Sequence, residues 1–305
     1  MTAPASLHGI WPALLTPLDA ALNIDHAGFA AHGRALLAAG CGGVTPFGTT
    51  GEGPSFGLDE RRAAVDALVE GGVPAARILV STSCAALPET LALTKHALSM
   101  GAWGCLMLPP FFLKGVSDAG IIDAFSYVID GAADARLRLM LYHIPQVAGV
   151  GLSHAVIAEL RRRYPDTIVG IKDSQCDRAH SLALVQAFMP ALTVHVGNEP
   201  DLPELGRRGS TGAVSGLANF MPRLVHRLVS QPDAPGTEQD LAKVNRLLAC
   251  LGGYALMPAL KGIMALRTGD ASWLRVRPPL VALTPERHAA LEAQVRAIGL
   301  DPERD

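Results

Sequence analysis

Short apolar runs alternate with longer amphipathic segments over the first 230 residues of the chain. Short apolar and β-branched runs are typical of buried strands, whereas apolar positions three or four residues apart are typical of helices. The predicted strands are 9–15, 42–47, 78–81, 104–108, 137–142, 168–172, 193–196 and 212–215. The predicted helices that follow them are 25–39, 59–70, 87–100, 118–132, 153–164, 178–188, 201–208 and 220–230.

Eight strands, each followed by a helix, predict an α/β fold of the (β/α)8 TIM barrel type. The length of 305 residues is enough for one such barrel, which takes about 250 residues, with additions. A doubly wound parallel sheet is the second interpretation. It would not require eight units, and no GxGxxG follows the first strand to indicate a dinucleotide site.

The chain changes character after residue 230. A turn-rich link at 231–236 is followed by helical patterns at 238–251, 254–268 and 285–298. We therefore expect a barrel over residues 1–230 and a C-terminal helical extension over 231–305 that packs on it. The second of these helices is apolar over much of its surface, which favours a larger core and leaves a subunit contact open.

Charge and cysteine content narrow the possible partners. The formal net charge of −2 gives no basic field for nucleic acid and no polybasic membrane patch, and no apolar run reaches spanning length. Residues 1–8 lack the pattern of a signal peptide. The five cysteines are scattered without a CxxC pair, which favours buried thiols over disulfides or a zinc site. We predict a cytoplasmic protein that recognises any substrate through local groups.

A lysine stands at the C-terminal end of the predicted strand 168–172, directly before Asp173 and Ser174. In parallel α/β folds this end of a strand faces the ligand. Partial burial disfavours the charged ammonium, so Lys172 is a candidate amine nucleophile for Schiff-base chemistry. A lysine that reaches solvent or pairs with Asp173 is the alternative, and this stretch alone does not decide between them.

The segment Gly48-Thr-Thr-Gly-Glu52 follows the second predicted strand. Its glycines allow a sharp turn that presents backbone N–H groups, and its threonines add hydroxyl donors, so the segment is suited to a carboxylate. An ordinary glycine turn is the alternative reading of the same residues.

Tyr142 stands at the end of the fifth predicted strand. A phenol there can carry a proton if another hydroxyl or a carboxyl group lies within hydrogen-bond reach, although a lone tyrosine at a strand end is often only a rim residue. His143 points to the opposite side of the strand, and we expect a structural role for it.

Three motifs together resemble the dihydrodipicolinate synthase / N-acetylneuraminate lyase family. They are Gly-Thr-Thr-Gly-Glu after the second strand, Tyr-His-Ile-Pro-Gln-Val-Ala-Gly after the fifth and Gly-Ile-Lys-Asp-Ser at the sixth. Their order and spacing match, and the similarity runs from about residue 9 to residues 277–281. The motifs are specific in combination, not singly. The resemblance implies a (β/α)8 barrel, usually a homotetramer, that uses pyruvate or another 2-oxo acid and an aldehyde through a lysine Schiff base, without a metal or other cofactor.

The resemblance also implies roles for single residues. Lys172 matches the Schiff-base lysine, Tyr142 the tyrosine that relays protons, and Thr49 its hydroxyl partner.

Four further positions match the part of the family site that holds the 2-oxo acid. Thr50 and its neighbouring backbone at Gly48 and Gly51 match the carboxylate cradle. Val214 matches the aliphatic residue whose main chain lines the pyruvate pocket, although it would fill the barrel interior equally well.

Three positions depart from the family patterns and are our candidates for specificity. Dihydrodipicolinate synthases carry an arginine for the distal carboxylate of the aldehyde where this chain has Val147, which offers no bidentate partner. They also place a relay tyrosine from the neighbouring subunit where this chain has Phe112. An apolar residue at 147 is more similar to neuraminate lyases and keto-deoxy-sugar aldolases, but the acidic pair that those lyases use for sugar hydroxyls is only half present, as Glu199.

The sequence therefore predicts a lyase or aldolase that reversibly forms or cleaves a carbon–carbon bond between a 2-oxo acid and an aldehyde. A 2-keto-3-deoxy sugar acid dehydratase would use the same imine, and a non-catalytic 2-oxo acid sensor would keep only the pocket. A barrel for phosphorylated substrates is a further alternative, suggested by residues 209–212, but these precede the eighth strand and should lie at the wrong face.

Overall fold

The structure, a computed structural model, describes residues 7–300 and residue 305. Most of the N-terminal stretch used for the signal-peptide prediction lies outside these residues, as do positions 301–304 of the helical extension. The strands are β1 (Gly9–Pro12), β2 (Leu79–Ser81), β3 (Gly104–Met107), β4 (Leu139–His143), β5 (Ile168–Asp173), β6 (Thr193–Val196) and β7 (Gly212–Ser215).

Helices follow the strands along the chain. They are α1 (His26–Ala38), α2 (Leu58–Glu70), α3 (Leu87–Ser99), α4 (Asp118–Ala132), α5 (Pro145–Ala148), α6 (His154–Arg163), α7 (Arg178–Phe188), α8 (Leu202–Arg207), α9 (Pro222–Ser230), α10 (Thr237–Leu251), α11 (Leu256–Thr268) and α12 (Pro285–Ile298). Side-chain caps fix several starts: Asp25 accepts from the amide of Gly28 before α1, and Ser153 accepts from the amide of Val156 before α6. Between residues 7 and 300, no helix combines the length and apolar character that a bilayer span requires.

The strands form one parallel sheet in the order β1-β7-β6-β5-β4-β3-β2. The predicted alternation of strands and helices is confirmed, as are the helices after residue 230. Because the strands are parallel, their carboxyl ends meet at one edge. Residues 209–212, considered above for phosphate, lie at the opposite edge, where β7 begins.

The second predicted strand, 42–47, differs from the prediction. It makes only isolated bridges, one to Ala13 beside β1 and one to Ile78 beside β2. Pro46 lacks an N–H group, so a regular ladder cannot continue through it, and Phe47 turns away with a φ of 61°. The segment nevertheless bridges the two edge strands of the curled sheet, an arrangement consistent with a TIM barrel and not with a doubly wound sheet.

Two apolar layers stabilise this arrangement. The first fills the inside of the curled sheet and includes Trp11, Leu106, Met140, Tyr142 and Val214. The second and larger layer lies between the sheet and the helices and extends to α10, α11 and α12. The extension is therefore continuous with the main core.

A buried histidine ties α1 to the loop after β7. His32 packs edge-on against Trp273, with 5.1 Å between the ring centroids. Its Nε2 donates to Asn219 Oδ1 at 2.9 Å, and the Asn219 amide group donates to the carbonyl oxygens of Ala13 and Gly216. Burial lowers the pKa of His32 from 6.5 to about 4, so its neutral form stabilises the fold.

We expect the free energy of unfolding to fall as the pH drops through 6.5 toward 4, because the unfolded chain then binds a proton at His32 that the folded chain does not. The contribution is fully present above pH 6.5, and from about pH 7 to about pH 5 the loss is about 2 kcal/mol for this residue. His32→Gln keeps a donor for Asn219 but does not titrate, so urea unfolding should show a weaker pH dependence. His226→Gln, at an exposed position, is the matched control. Equal pH dependence in His32→Gln and wild type would contradict this account.

Candidate active site

Lys172 and Tyr142 lie side by side inside the curled sheet. They are register partners on β5 and β4, so their side chains leave the sheet on the same face. The Lys172 Nζ lies 4.1 Å from the centroid of the Tyr142 ring, and the lysine is only 4% exposed. Asp173 points outward and accepts hydrogen bonds from His180 and Ser181. The lysine therefore neither reaches bulk solvent nor pairs with Asp173.

A hydroxyl pair stands next to this amine. Thr49 Oγ1 and Tyr142 OH are 3.2 Å apart, and either hydroxyl can donate to the other. The threonine can therefore orient the phenol and pass a proton to or from it, as a proton relay requires.

The loop 48–52 is held in a shape that presents amide groups. Glu52 adopts a left-handed conformation with a φ of 56°, and its amide donates to Thr49 O at 3.1 Å. A Cβ atom on Gly51 would lie 2.6 Å from Leu14 O, so only glycine fits there. No described residue accepts a hydrogen bond from the amide of Thr49 or Thr50. These two donors are free for an anion such as a carboxylate.

One cavity of about 250 Å³, the lysine cavity, brings most of the predicted residues together. Its lining includes Lys172, Tyr142, Thr49, Thr50, Val147, Glu199 and Val214. Val214 on β7 is buried, with Trp11 as its register partner on β1, so it lines the cavity and fills the sheet interior at once. Gly51 lies beneath the loop, where its carbonyl oxygen accepts from Thr16 Oγ1 at 2.8 Å.

Glu199 contributes a buried carboxyl group to the same cavity. Its Oε1 accepts a hydrogen bond from Ser215 Oγ at 2.6 Å. Burial raises the pKa of Glu199, while the hydrogen bond from Ser215 and the nearby Lys172 act in the opposite direction. Glu199 thus places a buried carboxyl group in the same cavity as Lys172.

A second and larger cavity of about 580 Å³, the outer cavity, adjoins the first. The two share Thr49, Tyr142 and Val147 as lining residues, and Gly48 lines the outer one. Val147 is 60% exposed, at the rim of both. Phe112 is 75% exposed and lines neither, whereas its neighbour Phe111 lines the outer cavity. A role of Phe112 toward a neighbouring subunit stays a prediction.

Several lining residues were missed by sequence reasoning. Leu248 of α10 and Leu256 and Leu260 of α11 close the lysine cavity from the helical extension. The spacing of these leucines predicted helix faces that pack against the rest of the protein. It did not indicate that these faces contact the cavity, because the spacing does not show which part of the core a helix packs against. Gln146 and Asn198 also line the cavity. Gln146 lies within the motif that begins at Tyr142, and Asn198 stands two residues after the predicted strand 193–196. A polar residue soon after the carboxyl end of a strand is a signal that could have identified both.

The outward residues next to the lysine–tyrosine pair form a histidine cluster. The ring of His143 stacks on that of His180 at 4.5 Å with a 19° angle between planes. His143 Nδ1 accepts from the amide of Leu152, so its Nε2 carries the proton that goes to Gln175 Oε1. His143, Asp173 and His180 bring potential metal ligands within 4.8 Å. Near-parallel rings do not aim their lone pairs at a common point, which suits the structural role expected for His143.

Comparison with known proteins gives the family. The Dihydrodipicolinate synthetase family profile matches residues 6–298. An uncharacterized DapA-like lyase of Chloroflexus aurantiacus is 31% identical over 96% of this chain and 98% of its own length. The crystal structure of dihydrodipicolinate synthase from Agrobacterium tumefaciens has 32% identity and a TM-score of 0.90, covering 96% of this chain and 100% of that one. YagE of E. coli K12, solved in complex with pyruvate, has 27% identity and a TM-score of 0.88, with 97% and 100% coverage.

The match extends over nearly the whole chain and includes the three motifs around Thr49, Tyr142 and Lys172. The fold, the parallel sheet and the C-terminal helices agree with it. This chain therefore belongs to the dihydrodipicolinate synthetase family.

Proposed function

We propose that this protein is a Schiff-base lyase or aldolase that joins a 2-oxo acid, with pyruvate as the simplest, to an aldehyde, or cleaves the product. The observation that carries the proposal is the buried Lys172 amine against the ring of Tyr142, whose hydroxyl lies 3.2 Å from Thr49. The family contains carbon–carbon lyases, and the related YagE binds pyruvate. A sensor without catalysis would need neither a shielded amine nor a relay of hydroxyl groups.

The first half of the reaction forms the imine. The free amides of Thr49 and Thr50 bind the carboxylate, which places C2 of the 2-oxo acid near Lys172. The neutral amine adds to C2, and the former carbonyl oxygen leaves as water after Tyr142 has delivered a proton to it. The protonated imine then attracts the electrons of the C3–H bond, and the Tyr142 phenolate left by the previous step takes that proton, which gives an enamine.

The second half makes the carbon–carbon bond. C3 of the enamine attacks the aldehyde carbon, and the aldehyde oxygen takes a proton from Tyr142, which Thr49 orients. Water then hydrolyses the imine, releases a 4-hydroxy-2-oxo acid and restores the amine. In the cleavage direction the same electrons flow back from the C3–C4 bond into the imine. No step changes the oxidation state of the protein.

The scaffold is part of the proposal. We assign the bridged segment 42–47 to the eighth strand position of a (β/α)8 barrel, and residues 231–305 to its helical extension. The free thiols of the five cysteines support a location in the cytoplasm, where thiols stay reduced. The exposed apolar side chains of Phe112 and Leu113 support a homo-oligomer, either a tetramer or a dimer. Gel filtration with light scattering tests the oligomeric part.

Borohydride trapping tests the chemistry. Incubation with pyruvate and sodium borohydride should add one reduced pyruvyl group to the intact protein, and peptide mapping should place it on Lys172. The same reduction with acetate in place of pyruvate should leave the mass unchanged, because acetate has no ketone. An unmodified Lys172 after treatment with pyruvate would end the proposal.

Tyr142→Phe removes only the phenolic hydroxyl and should lower turnover by about 10²–10⁴-fold, the usual contribution of a positioned acid–base group. The phenyl ring still packs against Lys172, so the pyruvate adduct should form slowly but to completion in long trapping reactions. The measurement is kcat with the best aldehyde, beside the adduct formation rate. Tyr127→Phe, at a half-exposed position on α4, is the matched control. Unchanged kcat in Tyr142→Phe would contradict the relay.

A second candidate function is favoured by Glu199. A 2-keto-3-deoxy sugar acid dehydratase forms the same imine but expels a hydroxyl group, which needs a proton donor beside the intermediate. The buried Glu199 carboxyl, with its raised pKa, is such a donor in the lysine cavity. Product analysis distinguishes the two: release of pyruvate supports the lyase, and a dehydrated acid that retains every carbon supports the dehydratase.

A further inference from the structure

The lysine cavity and the outer cavity meet at the hydroxyl pair of Thr49 and Tyr142. An aldehyde that takes its proton from Tyr142 therefore has its carbonyl at this boundary, with the outer cavity open to its substituent. We propose that the aldehyde is uncharged and has an apolar body, aromatic or branched aliphatic, that occupies the outer cavity. This inference rests on the proposed function and defines its second substrate.

The walls of the outer cavity are mostly apolar. They come from several parts of the chain: Phe47, Leu108, Phe111, Met257, Pro279 and Leu280. The volume of about 580 Å³ falls in the range of about 300–1,000 Å³ usual for small-molecule sites, which bind mainly by burying apolar surface. An aromatic or branched substituent fits this chemistry.

No cationic side chain lines the outer cavity among the described residues. The cations behind its walls have other partners. Arg61 donates to the carbonyl oxygens of Ser81 and Ser83, and Lys114 donates to that of Ala148 at 2.6 Å. None of these groups faces the interior, so a carboxylate or phosphate there would lose its hydration without gaining a charged partner.

A third cation, Arg277, also lies behind the wall. It binds Glu60 and the carbonyl oxygen of Ser55, with 3.0 Å from its Nη1 to each acceptor. The carboxylate of Glu52 also disfavours an anion in the outer cavity. Glu52 lines this cavity and is paired with Lys261, so neither group offers a free positive charge to an anionic substrate. The charges around the cavity therefore disfavour an anionic aldehyde.

The hydroxyl group of Ser81, in the wall of the outer cavity, has no hydrogen-bond partner among residues 7–300 and 305. Ser81 is 4% exposed. It lines the outer cavity near Gly48. An unpaired buried hydroxyl costs free energy, so a ligand that supplies one hydrogen-bonding atom at this point gains affinity. A hydroxyl group on an otherwise apolar aldehyde meets this requirement.

Kinetics with an aldehyde panel test the inference. The purified protein is saturated with pyruvate and supplied with benzaldehyde, succinic semialdehyde or glyceraldehyde, and pyruvate consumption is followed. We expect kcat/KM for benzaldehyde to exceed that for succinic semialdehyde by about 10²-fold or more, because the anion has no partner in the cavity. Equal or better turnover of succinic semialdehyde, or of glyceraldehyde, would overturn the inference.

Two variants locate the effect. Val147→Arg puts a guanidinium at the rim of both cavities and should raise kcat/KM for succinic semialdehyde about ten-fold, while lowering that for benzaldehyde. Ser81→Ala should lower kcat/KM about ten-fold for the best hydroxybenzaldehyde isomer and leave benzaldehyde unchanged. Ala158→Arg, at an exposed position on α6 that lines neither cavity, is the matched control and should keep the wild-type preference.

Borohydride trapping separates the two levels of failure. If no pyruvate adduct forms on Lys172, the proposed function itself is wrong. If the adduct forms but benzaldehyde, the hydroxybenzaldehydes and 3-methylbutanal, a branched aliphatic aldehyde assayed beside them, are not consumed, the Schiff base stands and the apolar aldehyde is wrong. An unchanged preference in Val147→Arg would equally show that the aldehyde substituent does not lie in the outer cavity.

Discussion

Lys172→Met should abolish the reducible pyruvate adduct and lower turnover by on the order of 10⁴-fold or more, because the covalent nucleophile is removed. Methionine has nearly the length of lysine and an apolar body, so it can fill the same space against the Tyr142 ring. The variant should therefore stay folded, so that its loss of activity reports the missing amine and not unfolding. The measurements are intact mass after trapping and kcat with pyruvate and the best aldehyde.

The control for this variant is Lys95→Met, which removes a lysine from an exposed position on α3. It should form the adduct and turn over like wild type. Thermal unfolding of both variants checks that each is folded. Retention of the adduct in Lys172→Met would mean that another amine carries the chemistry, and the reading of the lysine cavity would then be wrong.

The position of Lys172 could be predicted because two simple rules act together. An apolar β-branched run ends at the lysine, and the carboxyl ends of parallel strands meet at one edge. The same rules put Tyr142 and loop 48–52 at that edge. The register of Tyr142 with Lys172 was beyond the sequence, since it depends on how β4 and β5 slide against each other.

The prediction of a regular second strand from the hydrophobic pattern was wrong. Residues 42–47 are apolar enough for a strand and lie where a strand is expected, yet Pro46 prevents a regular ladder. The short helix α5 was also missed, although Pro145 is well suited to a first helical position. This helix places Val147 at the cavity rim. The position of this candidate specificity residue therefore depends on an element too short for hydrophobic periodicity to indicate.

The sequence predicted Lys261 only as one residue of an apolar helix. Its pairing with Glu52 depends on the tertiary structure and could not be predicted from that pattern. It is fully buried on α11, and its Nζ lies 2.6 Å from Glu52 Oε1 and 2.9 Å from the carbonyl oxygen of Arg275. Burial lowers the pKa of Lys261, while the adjacent Glu52 favours the charged form. Glu52 ends the loop 48–52 in a left-handed conformation, so this ion pair connects the helical extension to the loop that we propose binds the carboxylate.

Lys261→Met should lower the free energy of unfolding by about 3–5 kcal/mol, because it leaves the Glu52 carboxylate buried without a partner. The loop 48–52 should loosen at the same time and raise KM for pyruvate, since the amides of Thr49 and Thr50 lose their fixed positions. Urea unfolding and steady-state kinetics measure the two effects. Arg296→Met, which breaks the exposed pair with Glu292, is the matched control and should change stability by no more than about 0.5 kcal/mol.

The double variant Lys261→Met with Glu52→Gln distinguishes a lost ion pair from lost packing. Removing both charges eliminates the uncompensated carboxylate, so the double variant should be more stable than Lys261→Met alone. If the two have equal stability, the damage comes from the methionine and not from the charge of Glu52. A pyruvate KM that stays raised in the double variant would show that the ion pair positions the loop as well as stabilising it, because glutamine is neutral and cannot replace the charge that draws Glu52 toward α11.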